Sequence, residues 1–379
     1  MTFTLPLHQV SLGRVVVCAL AVALAACSDS DNNNNDGSDD GGVEPAGQFQ
    51  ELVDQGVTRY VGLYSPMATS QEGDVVNHDF AEGDGPLCLD GSRYTMATRD
   101  EGSEDLLILL QGGGACWFTF CSATESAGTG IPAAGILDPA NPDNPLAGVN
   151  TAYLPYCDGG LHASDADVDS DNDGLIDRYH RGLHNLSAGL DVTVRAFPAP
   201  SRIVLAGISG GGYGTIFALP LVRQLYPDTP IEVINDSGLG ITRPADPDFN
   251  NEILEYWNIG AFFPESCPDC VPQGDAVEFL DWQLGQDPGL RLGLMSYAQD
   301  FVIGTFFLGI GGPAFEQEMR TTTGELEQRN PDRVRSFIRA GDSHTFLGSD
   351  LTLSVEGLSI SDWVDGLIND TDDWRSVSD

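Results

Sequence analysis

The stretch from Arg202 to Tyr213, RIVLAGISGGGY, constrains this chain more than any other part of it. It opens as a short apolar run, Ile203 to Ala206, passes through Gly207-Ile208-Ser209-Gly210-Gly211, and continues as a helical segment through Leu225. An apolar run of that length, rich in branched residues and closed by glycine, reads as a buried strand. A serine on a strand-to-helix turn needs glycine on both sides, because the backbone is tight there and the helix packs close behind it. The turn lifts the hydroxyl above the sheet, and the helix N-terminus behind it favours negative charge. Gly-x-Ser-x-Gly alone is a weak signal. With strand, turn and helix in the required order, Ser209 becomes a candidate nucleophile.

Residues 12–26 are almost wholly apolar and end in Leu24-Ala25-Ala26-Cys27, the pattern of a bacterial lipoprotein leader whose Cys27 is lipidated after cleavage. The segment is short for a membrane-spanning helix. The stretch from Ser28 to Gly47 is Asp, Asn, Gly and Ser with almost nothing apolar, so it cannot bury a core. The expected organisation is a signal peptide over 1–26, a disordered acidic linker over 27–48, and one domain over 49–379 carrying an acidic insertion at 163–178. This places the chain outside the cytoplasm, at the periplasmic or outer surface of the cell envelope, with a membrane reached through a lipid anchor.

The formal charge is −40, and all seventeen basic residues are arginine. Such a surface repels polyanions, which excludes nucleic acid as a partner. Of eight cysteines, Cys18 falls in the leader and Cys27 at the lipidation site. Six remain, Cys88, Cys116, Cys121, Cys157, Cys267 and Cys270, and in an exported chain they suggest three disulfides in one of fifteen connectivities. Cys267-Pro268-Asp269-Cys270 has the spacing of redox and zinc motifs. No thioredoxin-like strand precedes it and no second Cys/His pair follows at finger spacing, so a structural bridge is the preferred reading.

Strand-like runs alternate with helical stretches, the pattern of an α/β fold with a mostly parallel central sheet flanked by helices. The strands are read at 106–110, 151–155, 203–206, 231–235, 290–297 and 334–339, with a helix over 182–196. In open α/β sheets the working groups gather at the carboxyl ends of strands. Ser209 ends one strand, Asp236 the next, Asp300 the penultimate one, and His344 follows the last. Serine, acid and histidine then come in the chain order of an α/β-hydrolase-like fold, with His344 as general base. Asp300 is the favoured acid, Asp236 the alternative, and Asp342 stands too near His344 in sequence. After the strand 106–110, Gln111-Gly112-Gly113-Gly114 offers bare N–H groups that, with the N–H of Gly210, suit an oxyanion hole. Trp117, Phe118 and Phe120 follow at once and are expected to line an acyl or substrate pocket.

Six blocks, taken together, resemble the pectin acetylesterase/Notum family of serine esterases, and its bacterial branch in particular. They are Cys88-Leu89-Asp90-Gly91-Ser92, Gln111 to Trp117, Pro155 to Gly159, Arg181 to Asn185, Gly207 to Tyr213, and Gly341 to His344, in family order across most of the chain. The resemblance implies an α/β-hydrolase that cleaves acyl esters without a cofactor, with Ser209, Asp300 and His344 as its triad. It also implies the bridges Cys88–Cys157, Cys116–Cys121 and Cys267–Cys270. Gly210 replaces the alanine common after the family's serine. A polyanion such as pectin is repelled by this surface, so the expected substrate is an acylated carbohydrate, with acetyl as the expected acyl group, or a small ester. The alternatives are a lipase, peptidase or acyltransferase on the same fold, or a surface-binding lipoprotein without catalysis.

The insertion contains Asp169, Asp171, Asp173, Gly174, Leu175 and Asp177, whose alternating carboxylates, turn glycine and Leu175 carbonyl reproduce the front of a calcium loop. His180 occupies the twelfth position, where a bidentate acid is usual. A structural calcium is expected, with no part in the chemistry. His162 and His184 flank the insertion and are expected at the surface or at a helix cap.

Overall fold

The computed structural model describes residues 47–379 apart from 242, 244, 245, 247 and 271–275. The expected leader, Cys27 and all but the last two residues of the linker lie outside the described residues. The strands, in chain order, are β1 (Ala68–Glu72), β2 (Val75–Asp79), β3 (Thr95–Arg99), β4 (Asp105–Leu110), β5 (Gly114–Trp117), β6 (Phe120–Ala123), β7 (Asn150–Leu154), β8 (Ala166–Val168), β9 (Arg178–His180), β10 (Arg202–Ile208), β11 (Ile231–Asp236), β12 (Arg291–Tyr297), β13 (Val334–Arg339), β14 (Ser354–Val355), β15 (Leu358–Ser359) and β16 (Val377–Ser378). The helices are α1 (Gln50–Asp54), α2 (Gly182–Ala196), α3 (Gly210–Leu225), α4 (Asp248–Tyr256), α5 (Ala276–Gln286), α6 (Gly312–Arg329) and α7 (Ile360–Asn369). A wider π-helical segment, Phe301–Phe307, follows β12.

Among the described residues the central sheet has ten strands in the order β1-β2-β3-β7-β4-β10-β11-β12-β13-β16. From β7 to β16 every neighbouring pair is parallel, whereas β1, β2 and β3 add an antiparallel edge. The parallel strands read as continuous apolar runs because both faces of the sheet are covered. In β4, Leu106, Ile108 and Leu110 enter one core together with Leu183, Leu186 and Ile216 of α2 and α3. The alternate residues Leu107 and Leu109 enter a second core with Trp363, Val364 and Leu367 of α7. The period-two alternation of a strand therefore feeds two layers, and the fold is an α/β-hydrolase-like sheet between helices.

Among the described residues the disulfides are Cys88–Cys157, Cys116–Cys121 and Cys267–Cys270, the three pairings the family resemblance implies. Cys88–Cys157 spans 69 residues, a closure worth about 4 kcal/mol on the chain-entropy account. The acidic insertion is the tip of a hairpin, with β8 and β9 pairing from Ala166↔His180 to Val168↔Arg178. Among the described residues, no helix is long and apolar enough to cross a membrane.

Candidate active site

Ser209 stands between β10 and α3 with φ 57° and ψ −118°, a conformation that a residue with a side chain adopts only when its surroundings enforce it. The enforcement is close packing. Its N–H donates to the Asp236 carbonyl at 2.7 Å, and a Cβ on Gly211 would stand 2.0 Å from the Leu110 carbonyl oxygen. The Ser209 hydroxyl oxygen lies 2.8 Å from His344 Nε2, and His344 Nδ1 lies 2.7 Å from Asp300 Oδ2.

Asp300 is fully buried, and its Oδ1 accepts the Val302 and Ile303 N–H groups at 2.9 and 3.0 Å. The loops after β12 and β13 are tied backbone to backbone: Gln299 N–H donates to Gly341 O at 2.9 Å and Phe301 N–H to Asp342 O at 3.1 Å. Those bonds bring Asp300 to the histidine. Asp342 is exposed and contributes its carbonyl. Asp236 is not hydrogen-bonded to His344, whose partners are Asp300 and Ser209. Its Oδ2 accepts the Phe346 and Leu347 N–H groups at 2.7 and 2.8 Å, just beyond the histidine, and burial pushes its pKa up to about 6.

On the other side of Ser209 lies the glycine run. A Cβ on Gly210 would be 3.6 Å from Gly113 N and 3.3 Å from Gly114 O, so these three glycines meet at the serine. Neither Gly113 N–H nor Gly210 N–H donates to any group among the described residues. The loop is anchored from behind: Gln111 N–H donates to Leu154 O at 3.0 Å, Tyr156 N–H donates to Gln111 Oε1 at 3.1 Å, and His162 Nε2 donates to Gln111 O at 2.9 Å. His162 is therefore a buried support of this loop and not a surface residue, and burial lowers its pKa. His184 is buried as well, between the Tyr64 hydroxyl at 2.7 Å and Asp165 Oδ1 at 3.0 Å.

A cavity of about 340 Å³ opens beside Ser209, Gly113, Gly114 and Gly210. Its far walls are apolar, with Phe120, Tyr213, Val302, Ile303, Phe306 and Phe307 among them. Trp117 and Phe118 do not line it. They sit in and just after β5, whose hairpin partner β6 brings Phe120 opposite Trp117 and Cys121 opposite Cys116. Trp117 packs behind the wall, 4.2 Å from Phe120 and 5.3 Å from Phe307 between ring centroids, and Phe118 points away against Tyr256 at 5.0 Å. Phe306 and Phe307 were not legible as pocket residues, although the apolar run following Asp300 was a signal in plain view.

In the acidic hairpin tip, Asp169, Asp171 and Asp177 each offer an oxygen within 4.8 Å of the others. Asp173 lies outside that group and its Oδ1 accepts the Leu175 N–H at 2.8 Å; the Leu175 side chain is exposed. Loop N–H groups already turn toward the carboxylates, with Gly174 N–H on Asp169 Oδ2 at 2.9 Å and Ser170 N–H on Asp177 Oδ2 at 2.7 Å.

A serine on a strained strand-to-helix turn, with a histidine and a buried carboxylate arriving from later strands, defines the α/β-hydrolase class. The comparisons narrow this. The model of the pectinacetylesterase family matches residues 69–261, more than half of the chain's 379 residues, and the chain belongs to that family. It is also similar to palmitoleoyl-protein carboxylesterase notum2 of Xenopus laevis, 24% identical over 245 residues that cover 55% of this chain and 47% of the relative. The chain thus spans about half the length of the curated relative it matches.

Proposed function

We propose that this chain is a serine carboxylesterase. The observation that carries the reading is the unbroken line from Asp300 through His344 to Ser209, at 2.7 and 2.8 Å, beside two N–H groups without partners. In the proposed cycle His344 Nε2 takes the Ser209 proton as the oxygen attacks the ester carbonyl. Gly113 and Gly210 N–H groups, with Gly114 in the same loop, hold the developing oxyanion, and Asp300 keeps the ring's other nitrogen protonated. His344 then returns the proton to the leaving alcohol. Water, activated by the same histidine, hydrolyses the acyl-enzyme and restores Ser209. Each step uses protein groups and water, so no cofactor is assigned to the cycle.

The substrate reading is an acetylated carbohydrate or small ester. The cavity favours a second reading, because about 340 Å³ with apolar walls is far more than an acetyl group fills. The Xenopus relative is named for a palmitoleoyl protein, a long acyl chain. A series of p-nitrophenyl esters from acetate to dodecanoate separates the two, with Ser209→Ala as the blank. Activity confined to the shortest esters supports deacetylation, a maximum at longer chains supports the second reading, and turnover retained by Ser209→Ala removes both.

We further read Asp169, Asp171 and Asp177 as a structural calcium site, remote from the chemistry, and Cys27 as a lipid anchor. The three disulfides suit an oxidising, extracytoplasmic setting.

A further inference from the structure

Asp236 carries a fully buried carboxylate that the proposed proton relay does not use. It is the last residue of β11, and it faces two ways. Its backbone carbonyl accepts the Ser209 N–H at 2.7 Å, while its side-chain Oδ2 accepts the Phe346 and Leu347 N–H groups at 2.7 and 2.8 Å. Ser237 extends the contact: its hydroxyl donates to Asp236 Oδ1 at 3.3 Å and accepts the Thr345 N–H at 3.3 Å. The Ser237 N–H is itself tied to Met295 O at 2.9 Å. Three consecutive N–H groups after His344 therefore hang from the end of β11.

We infer that Asp236 is a positioning residue for the hydrolysis proposed above, registering the backbone of Ser209 against the loop that carries His344. The inference rests on that catalytic reading. A hydrogen bond of 2.8 Å between Ser209 and His344 leaves little tolerance, since a displacement of about 1 Å costs on the order of 100-fold in rate. A single residue that holds both partners' backbones removes the freedom of one loop to slide past the other.

The test compares Asp236→Ala and Asp236→Asn in the full chain, with active sites counted by fluorophosphonate labelling and rates read on p-nitrophenyl acetate. Asparagine keeps one oxygen for both N–H groups but removes the charge. Asp236→Ala is expected to lower kcat per labelled site by about 100-fold with KM within about threefold. Asp236→Asn is expected to restore kcat to within about fivefold of the parent. Equal kcat for the parent and Asp236→Ala overturns the inference, and so does an asparagine variant as slow as the alanine one. Should Asp236→Ala fail to fold, Ser237→Ala, which removes the acceptor of the Thr345 N–H, takes its place with an expected loss in kcat of about tenfold at unchanged KM, and an unchanged kcat overturns the inference. A parent chain that is neither labelled nor active contradicts the hydrolase reading itself, a result distinct from all of these.

Discussion

Asp300→Asn separates the proposed mechanism from a merely similar arrangement. Asp300 Oδ1 holds two backbone N–H groups at 2.9 and 3.0 Å, and Oδ2 faces His344 Nδ1 at 2.7 Å. An asparagine must keep its oxygen on the side of the two backbone donors. Turning it round would set an NH2 group against both N–H groups in a fully buried site, at about 1–3 kcal/mol for each donor left unpaired. The amide therefore presents its NH2 to His344 Nδ1, which can only accept. The ring proton is then forced onto Nε2, pointing at Ser209, and the base can no longer take the serine proton. The corresponding change in serine proteases lowers kcat by about 10⁴, or roughly 5.4 kcal/mol of transition-state stabilisation. Steady-state kinetics on p-nitrophenyl acetate, normalised to folded protein by circular dichroism, should show that loss in kcat with KM little changed. A variant keeping a tenth of the parent kcat would refute the reasoning, as would Asp236→Asn falling by 10⁴ while Asp300→Asn does not.

Three further outcomes follow from the same geometry. Gly112→Ala places a Cβ 2.2 Å from the Ile208 carbonyl oxygen and 2.7 Å from Ser209 Cβ, so the glycine loop must retreat from the serine; the expected loss in kcat is about 100-fold, and activity within threefold of the parent contradicts it. If Asp169, Asp171 and Asp177 bind calcium, millimolar calcium raises the melting temperature and a chelator lowers it, whereas Asp171→Ala abolishes the response; identical melts with calcium and chelator reject the site. Burial raises the folded pKa of Asp236 from 3.8 to about 6, so the folded state binds the extra proton between those values. Its contribution to stability is therefore present below pH 3.8 and is lost as pH rises through about 6. The melting temperature of the parent should fall relative to Asp236→Asn across that window, and a constant difference argues against a buried carboxylate there.

Much of the site was legible because its signals are local. The glycines around Ser209 report a tight turn, the glycines at 112–114 a close approach, and His344 follows the last long strand directly. The choice between Asp300 and Asp236 was not local, since each ends a strand. It depends on which loop is bonded to residues 341–342, a matter of tertiary pairing. Trp117 and Phe120 share an aromatic run, but the hairpin register decides which ring meets the cavity. Phe306 and Phe307 lie in a π-helical segment, where a 3.6-residue pattern does not apply. The strand β1 is exposed at all five positions, so it carries no apolar alternation to betray it. His162 and His184 look like loop and helix-start residues in sequence, and only packing turns them into buried supports.

The central claim is that Ser209 is a nucleophile activated by His344. Intact-mass and peptide mass spectrometry after reaction with a fluorophosphonate probe tests it most directly. The account predicts one adduct per chain, on Ser209, absent from Ser209→Ala and strongly slowed in a His344→Ala variant. Folded protein that acquires no adduct, or an adduct on another residue, would contradict it.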